Sequence, residues 1–132
     1  MRIIRRRLPD GTHSFNDGAA IIVDDRLDSV QLFCAVQHEL VHLERGQTTH
    51  APGTRFEQDV RYETARRCLP VESMVGACRG SLEQTAQALE VTPRVLMDRA
   101  DVLTDDEARL LGCDTCRACP SMKYRFPRTE AF

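Results

Sequence analysis

The pentapeptide His38-Glu39-Leu40-Val41-His42 has the form HExxH. On an α-helix, positions four apart share a face, so His38 and His42 can turn two imidazole nitrogens toward one divalent ion. Glu39, beside them, is placed to hold a water molecule and accept its proton. The chemistry on offer is zinc-assisted hydrolysis. A zinc site that does chemistry needs a third protein ligand and one open position. The next segment, Phe56 to Pro70, offers Glu57, Asp59 and Glu63. At about 100° per residue, Glu57 points into the less polar face formed by Phe56, Val60, Thr64 and Cys68, whereas Glu63 falls with Asp59, Arg66 and Arg67 on the charged side. A carboxylate turned inward needs a partner, and zinc supplies one, which makes Glu57 the better third ligand. Glu63 is the alternative, and a salt bridge to Arg61 is the competing use of Glu57.

The elements that must position these groups are legible on either side. From Asp28 to Arg45 there is no Gly or Pro, Asp28 or Ser29 can cap the start, and Gly46 stands where a C-terminal cap belongs, so a helix is expected over roughly residues 29 to 45. Phe33, Val36, Leu40 and Leu43 recur at steps of three and four, giving a core-facing stripe with His38 and His42 on the adjacent strip. Upstream, residues 2 to 8 read as an arginine-rich edge strand ending in the turn Pro9-Asp10-Gly11, with Arg5, Arg6 and Arg7 as a charged guard against edge pairing. A second turn at Asn16-Asp17-Gly18 precedes Ala19 to Val23, a β-branched run expected to be the more buried strand. A small antiparallel sheet ahead of the metal helix follows. Gly46 to Arg55 is a loop, in which His50 is a solvent-exposed histidine by default and an oxyanion-stabilising group at its most interesting.

At 132 residues and 42% apolar, the chain can build one core of ordinary domain size. A net charge of −2 carries no strong overall field for nucleic acid or membrane. No run approaches the roughly 18 apolar residues of a membrane span, and no apolar stretch follows the N-terminal arginines, so a soluble, cytoplasmic protein is expected. Cys34, Cys68 and Cys78 then read as reduced core thiols.

Past Pro70 the pattern turns helical. Val71 to Arg79 reads as a helix, Ser81 and Gln84 form a capping box opening Leu82 to Glu90, Thr92 and Pro93 open a helix through Ala100, and Thr104 and Glu107 form another box. Leu82, Ala86, Leu89, Val91, Val95 and Leu96 make an apolar seam between two short helices, a helix-turn-helix outline. As a DNA reader it is poor, since Arg94 and Arg99 are accompanied by Asp98 and few base-reading groups. Cys113, Cys116 and Cys119 form a CxxCxxC run, an incomplete metal pattern that would need a fourth ligand such as Cys78. The expected architecture is α+β: a core over residues 1–70 in which the sheet packs on the HExxH helix and a second ligand helix, a helical segment over 71–112, and a cysteine-containing tail over 113–132.

Three stretches together carry a family resemblance. They are Ala20-Ile-Ile-Val-Asp-Asp-Arg-Leu, then Gln31-Leu-Phe-Cys-Ala-Val-Gln-His-Glu-Leu-Val-His, then Glu57-Gln-Asp-Val-Arg-Tyr-Glu-Thr-Ala-Arg-Arg-Cys-Leu-Pro. In order and spacing they resemble the ImmA/IrrE family of zincin-like metallo-endopeptidases, over roughly residues 19 to 111, with HExxH and the downstream glutamate as the specific part. The resemblance implies Zn2+ on His38, His42 and Glu57, with Glu39 as general base. It implies a protease of phage, mobile elements or stress responses whose protein substrate is a helix-turn-helix repressor. The chain departs from the family pattern at Val41, where Gly is usual, and at Val60 and Arg61, where Ala and then Asn or Asp are usual. A catalytically inactive zinc-binding protein acting as a repressor- or DNA-binding module is the alternative expectation.

Overall fold

The computed structural model describes residues 1–46, 54–77 and 80–111. His50, Cys78, Cys113, Cys116 and Cys119 lie outside the described residues. The elements in chain order are β1 (Arg2–Arg6), β2 (Ser14–Asn16), β3 (Ala20–Asp24), α1 (Ser29–Glu44), α2 (Arg55–Cys68), α3 (Val71–Met74), α4 (Leu82–Leu89), α5 (Pro93–Asp101) and α6 (Asp105–Leu110). The class is α+β, as expected. Two compact units divide the chain, Met1–Thr64 and the part from Ala65 onward, with the division falling inside α2. Among the described residues no helix is long and apolar enough to cross a membrane.

The sheet of the first unit has the order β1-β3-β2. It is mixed, which corrects the antiparallel expectation: β2 runs antiparallel to β3, but β1 runs parallel to it. The reason is the three-residue strand β2, which lies between the two expected turns. Each turn reverses the chain, so after both of them β3 travels in the direction of β1. Every residue of β3 is buried, as its β-branched run between two neighbours requires. Ile21 and Val23 meet Leu27 and Ala35 in the core, with Leu32, Val36, Leu40 and Leu43 of α1 packed against them. In the β2–β3 register Ser14 lies opposite Val23 and Asn16 opposite Ile21. Residues paired across strands point to the same side, so Ser14 and Asn16 share the face on which α1 packs.

Helix α1 starts where its sequence says it should. The Gln31 N–H donates to Asp28 Oδ1 at 2.8 Å and the Asp28 N–H to Gln31 Oε1 at 3.0 Å, a reciprocal cap on two otherwise unpaired donors. It ends at Arg45, followed by Gly46 with φ of 69°, a left-handed value that favours glycine. The core stripe differs in its first member. Phe33 is 45% exposed, and Leu32 takes the core position beside Val36, Leu40 and Leu43; helical periodicity does not separate the two, since either set spans about 80° at about 100° per residue, and packing against Ile21 and Val23 decides. Beside this stripe Ala35, Glu39 and His42 are buried, the last two completely.

In the second unit, the helix expected over Val71 to Arg79 ends at Met74, and Gly76 takes a φ of 71° that no helix continues. Both capping boxes form, with Ser81 and Gln84 on α4 and Thr104 and Glu107 on α6. Glu90 adopts a left-handed φ of 57°, and the Val91 N–H reaches back to the Ala86 carbonyl, closing the tight turn between α4 and α5. Leu82, Ala86, Val91, Val95 and Leu96 are buried in the seam. Arg99 is buried with them rather than offered to a partner. Its Nε donates to the Leu69 carbonyl at 2.7 Å, and its two terminal nitrogens donate to the two Glu107 oxygens at 3.1 and 2.5 Å.

This forked pair yields a stability prediction with a pH signature. The Arg99 hydrogen bonds hold the Glu107 carboxyl below the usual glutamate value, against a smaller opposing effect of burial. The contribution is therefore complete above the unfolded-state pKa of about 4.3 and is lost as pH falls through the lower folded-state value. Glu107→Ala, which leaves a buried guanidinium without its carboxylate, is expected to cost about 3 kcal/mol at neutral pH by urea unfolding. The gap between wild type and Glu107→Gln should close on acidification. A pH-independent gap, or a neutral-pH loss of only about 0.5 kcal/mol as for an exposed pair, would contradict this account.

Candidate metal centre

His38 and His42 stand one turn apart on α1, and Glu57 stands in the first turn of α2. Thr54 fixes where that turn begins: its Oγ1 accepts the Glu57 N–H at 3.1 Å and its carbonyl accepts the Gln58 N–H at 3.1 Å. The Glu57 carboxylate then spans both imidazoles. Oε1 lies 2.8 Å from His38 Nε2 and Oε2 lies 3.1 Å from His42 Nε2, while the two Nε2 atoms are 3.2 Å apart. The rings meet edge to face, with centroids 4.9 Å apart at 63°.

Burial gives this cluster its character. His42 is fully enclosed and Glu57 nearly so, while the His38 side chain is 18% exposed and marks the wetter side. Phe56 lies next to the enclosed histidine, its ring centroid 6.5 Å from that of His42, and is itself 41% exposed. The site thus has one buried wall and one aromatic edge open to solvent.

The donor set fits a metal. One ligand atom from each of His38, His42 and Glu57 lies within 4.8 Å of the others. Tetrahedral zinc with bonds of about 2.0–2.1 Å places adjacent donor atoms roughly 3.3 Å apart, close to the 3.2 Å between the two imidazole nitrogens. Two imidazoles and one carboxylate suit zinc, and they also suit other borderline first-row divalent ions. Three protein ligands leave a fourth position for water or substrate.

Of the residues singled out from sequence, His38, His42 and Glu57 come together. Glu63, half-buried farther along α2, is not part of the group. Val60 is fully buried core. Glu39 is also fully buried, and its carboxylate is held from the sheet: Ser14 Oγ donates to Oε2 at 2.7 Å and Asn16 Nδ2 donates to Oε1 at 3.1 Å.

Sequence reasoning missed Ser14, Asn16 and Thr54. Thr54-Arg55-Phe56-Glu57 has capping-box form, so a signal for Thr54 was present. Ser14 and Asn16 sit in a stretch with turn residues nearby and no strand-length alternation, which leaves no local signal.

Comparison with protein-family models, with curated proteins and with solved structures finds no match to this chain.

Metal content separates the two candidate third ligands. Purified wild type and Glu63→Ala are expected to hold zinc in equal amount by elemental analysis, and Glu57→Ala to lose most of it. Retention by Glu57→Ala together with loss by Glu63→Ala would move the third ligand to Glu63.

Proposed function

We propose that this chain is a zinc-dependent endopeptidase of ImmA/IrrE type, cleaving a helix-turn-helix repressor-type regulator in phage, mobile-element or stress regulation. The observation that carries the reading is the convergence of His38, His42 and Glu57 around a common point, with Glu39, the residue after His38 on the same helix, buried. The substrate class rests on the family resemblance of the HExxH and Glu57 segments.

In this reading His38, His42 and Glu57 hold the ion. Bound zinc supplies Lewis acidity toward a peptide carbonyl and toward water. Glu39 takes the proton of the attacking water on its carboxylate and passes it to the leaving amine, so one group serves as base and then as acid. The enclosed His42 and Glu57 keep water from one side of the cluster, which strengthens the electrostatic interactions within it. Phe56, exposed beside His42, offers an apolar surface to a substrate side chain.

The α4–α5 pair does not favour a DNA-binding reading. Asp98 and Arg99 are buried within it, and Arg94 lies 3.9 Å from Asp98.

The test uses zinc-loaded full-length protein and a proteome-derived peptide library read by mass spectrometry. Wild type should release new peptide termini. Glu39→Gln should keep its zinc and lose cleavage by about 100-fold or more, the scale of a lost general base. Equal cleavage by Glu39→Gln, or a zinc-loaded wild type that cleaves nothing, would sink the peptidase reading; the second result would leave the inactive zinc-binding module.

A further inference from the structure

Resting on the peptidase reading, we propose that Ser14 and Asn16 of β2 are positioning residues for Glu39, fixing the plane of its carboxylate. The two side chains reach the same group from one strand. Two-residue spacing puts both on the face of the sheet that α1 covers. Ser14 Oγ donates to one Glu39 oxygen at 2.7 Å and Asn16 Nδ2 donates to the other at 3.1 Å. A single contact would leave the broad terminal torsion of a glutamate free to turn, whereas one donor on each oxygen fixes it.

Asn16 is itself oriented. Its Oδ1 accepts the Gly18 N–H at 3.1 Å in the turn between β2 and β3, so the amide must present its NH2 end to Glu39. At 2% exposed, it has little room to do otherwise. The hairpin turn thus sets the amide, and the amide sets one carboxylate oxygen.

A hydroxyl and an amide are neutral donors, which fix geometry without placing a full charge beside the carboxylate. A general base works at hydrogen-bond reach, about 2.6–3.2 Å from the heavy atom that carries the proton or through one water, and a displacement of about 1 Å can cost on the order of 100-fold in rate.

The experiment compares Ser14→Ala, Asn16→Ala, Asn16→Asp and Ser14→Thr with wild type as full-length proteins. The readouts are zinc content, kcat and KM on a peptide taken from the library screen, and affinity for a peptidyl hydroxamate by calorimetry. A hydroxamate binds the metal and also hydrogen-bonds to a correctly placed carboxylate, so it reports Glu39 orientation without turnover. Ser14→Ala and Asn16→Ala are expected to keep their zinc and KM, to lose about 10- to 100-fold in kcat, and to bind hydroxamate roughly 10-fold more weakly. Asn16→Asp sets a second carboxylate against Glu39 and should lose the most. Ser14→Thr, which keeps the hydroxyl on a β-favouring residue, should restore most of the activity. If wild type cleaves and both alanine variants match it in kcat and hydroxamate affinity, the positioning role is overturned and the peptidase reading stands. If zinc-loaded wild type neither cleaves nor binds hydroxamate, the peptidase reading falls and takes this role with it.

Discussion

Helix α1 buries a histidine and a glutamate completely, and much of the first unit is arranged to make that tolerable. Polar side chains removed from water must find partners, at a cost of several kcal/mol when they do not. His42 and Glu39 lie three residues apart on one helix surface, yet their partners come from opposite directions in sequence. Glu39 is satisfied from β2, upstream of the helix, and His42 is faced at 3.1 Å by the Glu57 carboxylate of α2, downstream of it. The HExxH helix is therefore where an N-terminal sheet and a C-terminal helix are both required. Each supplies what the other cannot.

The apolar part of the same helix makes this possible. Leu32, Val36, Leu40 and Leu43 fasten α1 to Ile21 and Val23, so the helix cannot roll about its axis without breaking the core. The reciprocal cap between Asp28 and Gln31 sets where the helical phase begins, and with it the angle at which residues 38, 39 and 42 project. A strand of only three residues then suffices at the site, because β3 supplies its register and the helix supplies its far wall.

Much of this could be read in the residues themselves. His38, Glu39, His42 and Glu57 were recognisable because helical periodicity is a strong signal and because a carboxylate on an apolar face demands a reason. The caps at Asp28, Ser81, Thr92 and Thr104 were recognisable because capping is local chemistry. What escaped depends on distant partners. Ser14, Phe15 and Asn16 become a strand through β3, and the sheet became mixed once that strand was counted. Phe33 and Leu32 are adjacent apolar residues, and only the packed sheet decides which of them faces it. Arg99, weighed in the sequence only as a group a DNA reader could use, is inside because of the Leu69 carbonyl and the Glu107 carboxylate, both outside its own helix.

The parallel pairing of β1 with β3 has a bearing on how the site assembles. Two strands far apart in sequence close around the segment that contains β2, so this closure spends chain entropy before any strand contact repays it. The two histidines need no such event, since a helix brings residues four apart together as soon as it forms. The pairing of His38 and His42 on α1 is thus a product of short-range folding, and the setting of Glu39 a product of long-range folding. A nascent chain can bring its two histidines together well before Glu39 is held in place, so on the proposed reading metal capture and hydrolytic competence would be separated in time as well as in space.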